Sequence, residues 1–144
     1  MLRALIVDDD PINTRFLVEI LTPYAICDTA ANGHAGLEAF RRALTVGPAY
    51  DLILLDVMMP GMDGHRALEG MRHLEHVQGV PSSDAAKVIM ISALDDARTM
   101  YRAFFQGQAM SFLSKPFSSE TVLQELRKFD LIDSAQEPPP RSDP

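Results

Sequence analysis

Apolar residues in this chain fall in short runs separated by longer segments with helical spacing. Leu5-Ile6-Val7 reads as a buried strand that ends abruptly in acids. Ala25 to Ala30 is a second, weaker strand. Leu52-Ile53-Leu54-Leu55 is a continuous apolar run of the kind found in strands covered on both faces. Lys87 to Ile91 and Met110 to Leu113 supply a fourth and a fifth strand. Between them, Ile12, Phe16 and Ile20 fall four apart and share one helical face over Pro11 to Leu21. Pro11 suits a first helical turn, where its missing N–H would be unpaired in any case. Leu37, Phe40 and Leu44 define a helix over Ala35 to Leu44 that Gly47-Pro48 stops. Asp63 can cap a helix running to about Val77. Gln78 to Ala86 is a polar loop, Asp95 or Asp96 can cap the next helix, and Ser118 or Ser119 begins the last. That last helix turns Val122, Leu126 and Phe129 inward.

Five strands alternating with five helices imply parallel pairing through right-handed crossovers. The expected fold is α/β, a doubly wound five-stranded parallel sheet of flavodoxin-like order 2-1-3-4-5 with helices on both faces. Such sheets bind ligands outside the carboxyl ends of their strands, near the switch in strand order. Residues 1–133 form the expected domain. Residues 134–144 hold four prolines and few apolar groups, and read as a disordered tail or the start of a linker.

A length of 144 residues fits one domain with one sizeable core. The net charge of -7 argues against nonspecific nucleic-acid binding and against docking on anionic lipid. A single cysteine, Cys27, rules out an internal disulfide and a cysteine-rich zinc site, and its strand-like surroundings suggest a small buried apolar residue. No apolar run approaches a membrane span or a secretory signal, so a cytoplasmic protein is the default reading.

The chemistry gathers where the strands end. The first strand runs into Asp8-Asp9, the third into Asp56, the fourth into Ser92 and the fifth into Lys115-Pro116. Three carboxylates, one hydroxyl and one ammonium therefore converge on one rim. Clustered carboxylates either take up protons at raised pKa or hold a cation among them. Hard oxygen donors favour magnesium or calcium over zinc, and magnesium keeps room for waters and phosphate oxygens. A carboxylate can act as a nucleophile toward phosphorus and form an acyl phosphate. Asp56 is the candidate nucleophile, with magnesium on Asp8 and Asp9 taking one phosphoryl oxygen, Lys115 a second and Ser92 a third. Taken singly, Asp8 to Asp10 also read as a solvated acidic turn capping the first helix.

With these residues in place, the sequence resembles a response-regulator receiver domain of bacterial two-component signalling, of the chemotaxis-regulator-like kind. The resemblance runs from about Leu2 to Asp130. It rests on Leu5-Ile6-Val7-Asp8-Asp9-Asp10-Pro11, on Leu52 to Gly64 with its Asp56-Val57-Met58-Met59-Pro60-Gly61-Met62-Asp63-Gly64, on Ile91-Ser92-Ala93 and on Ser114-Lys115-Pro116-Phe117. It implies phosphorylation of Asp56 by a sensor histidine kinase or a phosphotransfer protein, with Mg2+ (Mn2+ as a substitute) on Asp8, Asp9, Asp56 and the Met58 backbone carbonyl. It further implies a cis Lys115-Pro116 bond and a switch in which Ser92 moves toward the phosphate while Phe112 turns inward. Output would pass through the fourth helix, fifth strand and fifth helix to a downstream effector protein or effector domain. Apart from its own phosphorylation and dephosphorylation, no enzyme activity is implied.

Several positions depart from the family's commonest pattern. Phe112 stands where tyrosine or histidine is frequent, and Ser92 lacks the methyl of the frequent threonine. Gly107-Gln108-Ala109 places glycine one residue early, and the stretch between Asp56 and Ser92 is long, with the excess near Gln78 to Ala86. Met58 and Leu94, both apolar at places that govern water access in the family, imply a fairly long-lived phosphoryl state. Most of the large apolar groups in Met100 to Phe105 read as core, but consecutive Phe104 and Phe105 cannot both face inward from one helix, which makes one of them a candidate for a partner surface or a homodimer interface. Two other functions compete. One is a phosphorylation-independent interaction domain, although such degenerate receivers usually lack a site residue. The other is a haloacid-dehalogenase-type phosphohydrolase, which carries an acid two residues after its nucleophile where this chain has Met58. His73 and His76 could share a helical face as metal ligands, but read more simply as solvated.

Overall fold

Parallel hydrogen-bonded pairing joins β1 (Leu2–Val7), β2 (Ala25–Ala30), β3 (Leu52–Asp56), β4 (Lys87–Ala93) and β5 (Ser111–Lys115) into one sheet of order β2-β1-β3-β4-β5. The computed structural model describes residues 1–93 and 109–133. The described α-helices are α1 (Pro11–Leu21), α2 (Gly33–Val46), α3 (Gly64–Val77) and α4 (Ser119–Lys128), with a short 3-10 turn at Ser82–Asp84. The helix expected after Asp95 or Asp96 lies outside the described residues, as do Leu94, Phe104, Phe105, Gly107 and the 134–144 tail. No helix among the described residues is long and apolar enough to cross a membrane.

The continuous apolar strands have a direct cause. Alternate residues of a strand point to opposite faces, and both faces here are covered. Leu5, Val7, Ile53, Leu55, Val88 and Met90 meet Phe40 of α2 and Ala67, Leu68 and Met71 of α3. On the other side, Ala4, Ile6, Leu52, Leu54, Ile89 and Ile91 meet Leu17, Ile20 and Leu21 of α1 and Val122, Leu123 and Leu126 of α4. Side-chain caps start the helices: Asp10 accepts from the N–H of Ile12, Asn32 from Ala35, Asp63 from Arg66 and Ser118 from Thr121.

Three expectations need correction. On α1 the buried stripe is Leu17, Ile20 and Leu21, whereas Ile12 is 77% exposed and Phe16 is also exposed. Ile12 lies five residues from Leu17, about 140° round the helix, so a four-residue spacing alone picked the wrong stripe. Phe16 instead packs beside Phe117, with ring centroids 5.8 Å apart. On α4, Leu123 joins the core while Phe129 is the half-buried C-cap residue. Cys27 is half-buried rather than buried, because β2 is an edge strand with its pattern broken by exposed Ile26, Asp28 and Thr29.

The long connection from α3 to β4 is tied down by Glu75. Its buried carboxylate accepts the Ala86 N–H at 2.8 Å through Oε2 and pairs with Arg72 Nη1 at 2.6 Å through Oε1.

Candidate functional site

β1 delivers Asp8 to the rim of the sheet with its side chain only 2% exposed. Its Oδ1 accepts the Asp10 N–H at 2.9 Å, and Asp10 in turn caps α1, so the acidic turn and the helix start are one hydrogen-bonded unit. Asp9 between them faces solvent. β3 ends in Asp56, also 2% exposed. The ladder continues one residue past it, with the Val57 N–H donating to the Ile91 carbonyl at 3.0 Å and the Gly64 N–H to the Val57 carbonyl at 2.9 Å. Asp63 starts α3 directly behind the acid. A Cβ on Gly64 would lie 2.3 Å from the Asp56 carbonyl oxygen, so the helix can abut the strand end only because that side chain is missing.

β5 ends in Lys115. Its Nζ lies 3.3 Å from Asp56 Oδ1 and 3.8 Å from Asp8 Oδ2. The Lys115–Pro116 peptide is cis. The Met58 N–H points to Asp56 Oδ1 at 3.4 Å, and the Met58 side chain is 67% exposed beside it. Ser92 is 3% exposed, the residue after Ile91, whose Cα pairs with Asp56. Phe112 pairs with Met90 across β4–β5 and packs half-buried against the α2–α3 side of the core. The fold thus brings Asp8, Asp9, Asp56 and Lys115 together, with Ser92 at the end of the intervening strand.

Electrostatics make this a strained set. Carboxylate oxygens of Asp8, Asp9 and Asp56 lie within 4.8 Å of one another. Burial, then the Asp8 charge, pushes Asp56 up to about 6 against the opposing pull of Lys115. Burial also raises Asp8, opposed by the Asp10 N–H and by Lys115. Asp8 Oδ2 is buried with no hydrogen-bond partner. A buried carboxylate oxygen without a donor is costly. One ammonium facing three acids leaves negative charge uncompensated, and a divalent cation would relieve both faults. The donor set, all oxygen, fits magnesium by its chemistry.

Other features of the region were not foreseen. His65, on the first turn of α3, is buried, whereas His73 and His76 are exposed as expected. Gly33 abuts Met62 at the start of α2, where the sequence pattern marks only the Asn32 cap before it.

A doubly wound parallel sheet with acids at the ends of β1 and β3 and a lysine at the end of β5 is the architecture that the resemblance to receiver domains implies. Residues 4–127 match the response regulator receiver domain family, and the chain belongs to it. The chemotaxis protein CheY of Listeria monocytogenes serovar 1/2a is 34% identical over 128 residues, covering 89% of this chain and 98% of that protein. The CheY of Treponema pallidum is 32% identical over 126 residues, covering 86% and 79%. Among solved structures, the CheX-CheY-BeF3-Mg2+ complex from Borrelia burgdorferi superposes with a TM-score of 0.74 at 30% identity, covering 89% of this chain and 88% of that one. The chain is therefore a chemotaxis-regulator-like receiver domain.

Proposed function

We propose that this domain is a phosphorylation-dependent signalling switch that accepts a phosphoryl group on Asp56 from a sensor histidine kinase or phosphotransfer protein. The observation that carries the reading is the buried Asp56 carboxylate with Lys115 3.3 Å away and, beside it, a buried Asp8 Oδ2 that has no hydrogen-bond partner. Asp8, Asp9, Asp56 and the Met58 carbonyl would hold Mg2+, or Mn2+ in its place, and the bound ion would neutralise charge on the transferred group. An Asp56 oxygen forms a bond to phosphorus as the donor's phosphorus–nitrogen bond breaks, and the leaving imidazole takes a proton from solvent. The Lys115 ammonium stabilises charge on the equatorial oxygens. It also holds Asp56 ionised by offsetting part of the burial cost.

The new phosphate adds negative charge and three acceptors, which favour the arrangement with Ser92 and Lys115 drawn close. Reversing a 1:99 population needs a preference of about 5.5 kcal/mol. A charge-assisted hydrogen bond contributes roughly 1.5–3 kcal/mol, so Ser92, Lys115 and the cation must act together. Phe112 then turns inward, and the signal leaves through the face of β5, α4 and the helix expected after Asp95 or Asp96, toward an effector protein or domain. The exposed apolar Met58 supports a slow loss of the phosphoryl group, and a half-life of seconds in purified protein with Mg2+ counts against that.

Incubation with Mg2+ and acetyl phosphate, followed by intact-mass measurement, tests the core of the proposal. One phosphoryl adduct is expected, absent in Asp56→Asn. No adduct on the wild type, or the same adduct on the variant, overturns the assignment.

A further inference from the structure

We infer that Gly33, on the first turn of α2, is a positioning residue for the acidic pocket: it sets where the loop from β3 to α3 stands and hence how well the pocket binds a divalent cation. The inference rests on the reading of the pocket as a cation site.

The loop is fixed at both ends. Val57 is bonded to Ile91 and Gly64, and Asp63 caps α3. Between these anchors Met58, Pro60 and Gly61 are exposed, and Gly61 takes a φ of 78° to turn the chain. Met62, the residue just before the Asp63 cap, is seated on α2. A Cβ on Gly33 would lie 2.5 Å from the Met62 carbonyl oxygen and 3.0 Å from its Cβ and Cγ. The first of these is a backbone atom and cannot rotate away.

α2 is itself held in place. Asn32 caps it through the Ala35 N–H at 2.8 Å. One turn on from Gly33, a Cβ on Gly36 would lie 2.8 and 2.9 Å from the two methyl carbons of Val7, the last residue of β1 and the neighbour of Asp8. The helix therefore touches the strand end that carries Asp8 and Asp9 at one point and the loop that carries Met58 at another. Neither glycine puts a side chain of its own into the contact, so the helix backbone lies directly against the Val7 methyls at one point and the Met62 carbonyl at the other and sets the spacing between the two halves of the pocket. Gly33 lies outside the positive-φ region, so its backbone accepts alanine. Alanine there therefore acts by forcing the Met62 backbone and the first turn of α2 apart. Magnesium, which demands near-ideal octahedral geometry, is sensitive to such a displacement.

Mn2+ affinity, measured by isothermal titration on the purified chain, tests this. Gly33→Ala is expected to bind Mn2+ about tenfold more weakly than wild type, the lower end of what outer-shell changes cost. Gly70→Ala serves as a control in the same α2–α3 packing, because its Cβ would meet only the mobile end of Leu37. It is expected to bind as wild type does. Met62→Gly, which loosens the seat of the loop on α2 without adding bulk, is expected to weaken binding in the same direction and covers the case in which Gly33→Ala does not fold. Wild-type affinity in either loop-perturbing variant overturns the inference alone. A wild type that binds no Mn2+ overturns the cation-site reading, and the inference with it.

Discussion

Lys115 Nζ lies 3.3 Å from Asp56 Oδ1 although the two residues end strands that are not neighbours: β4 stands between β3 and β5. The lysine reaches across the end of β4, past Ser92, to meet the acid. Lys115→Met is therefore expected to raise the Asp56 pKa further above its present value of about 6, by about one unit. A carboxyl-carbon NMR titration of the metal-free protein reads this directly, and an unmoved Asp56 titration would show that the ammonium is screened from it.

Asp56 ionises in the folded state at about 6 rather than the ordinary 3.8. Between these values the folded protein keeps a proton that the unfolded chain has released. The contribution of Asp56 to stability is thus complete below pH 3.8 and is lost as the pH rises through about 6. Above that range the buried charge costs the fold on the order of 1–2 kcal/mol after allowance for solvent screening. Without divalent cation, Asp56→Asn should gain about that much stability at neutral pH and almost none near pH 4. Urea denaturation at the two pH values checks it, and an equal gain at both would point to packing instead of charge.

Cation binding should reverse the penalty. At ten times its dissociation constant, Mg2+ should stabilise the wild type by about 1.4 kcal/mol at neutral pH. The gain should shrink below about pH 6, where protons compete for the same oxygens. Asp8→Asn should lose most of it. Thermal melts with and without Mg2+ provide the comparison, and a full Mg2+ response in Asp8→Asn would remove that acid from the site.

Glu75 holds the Gln78–Ala86 connection against α3 through the Ala86 N–H and Arg72. Glu75→Ala leaves a buried N–H without its acceptor and should cost about 1–3 kcal/mol. Protease cleavage within the connection should quicken in the variant while phosphorylation by acetyl phosphate stays near the wild-type rate, because the loop lies at the opposite end of β4 from Asp56. Unchanged cleavage would mean that other contacts secure the loop.

Legibility in the sequence followed the range of the forces involved. β3 and β4 stood out because both faces of the sheet are covered, so burial was written as unbroken apolar runs. Asp63 and Asn32 act within three residues of themselves, and the Asp63 cap could be read locally. Strand-end placement by itself puts Asp8, Asp56 and Lys115 on one rim, where their side chains meet. The face of α1 was misjudged because Ile12 and Phe16 keep helical spacing yet lie off the stripe that Leu17 and Leu21 press into the core. Glu75 resembled any helix-surface acid; only the return of Ala86, eleven residues on, buries it. The approach of Gly33 to Met62 depends on how two separate segments are packed, and no local pattern encodes it.

The central position of β1 bears on how the chain is made. Ala4 pairs with Cys27 on one side and with Leu52 on the other, so the first strand of the domain to be synthesised acquires its second neighbour only after 48 further residues (52 minus 4) have followed. At typical synthesis rates of roughly 5–20 residues per second, that delay is about 2–10 s. During it the apolar end of β1 and the acids beyond it wait without their eventual surroundings.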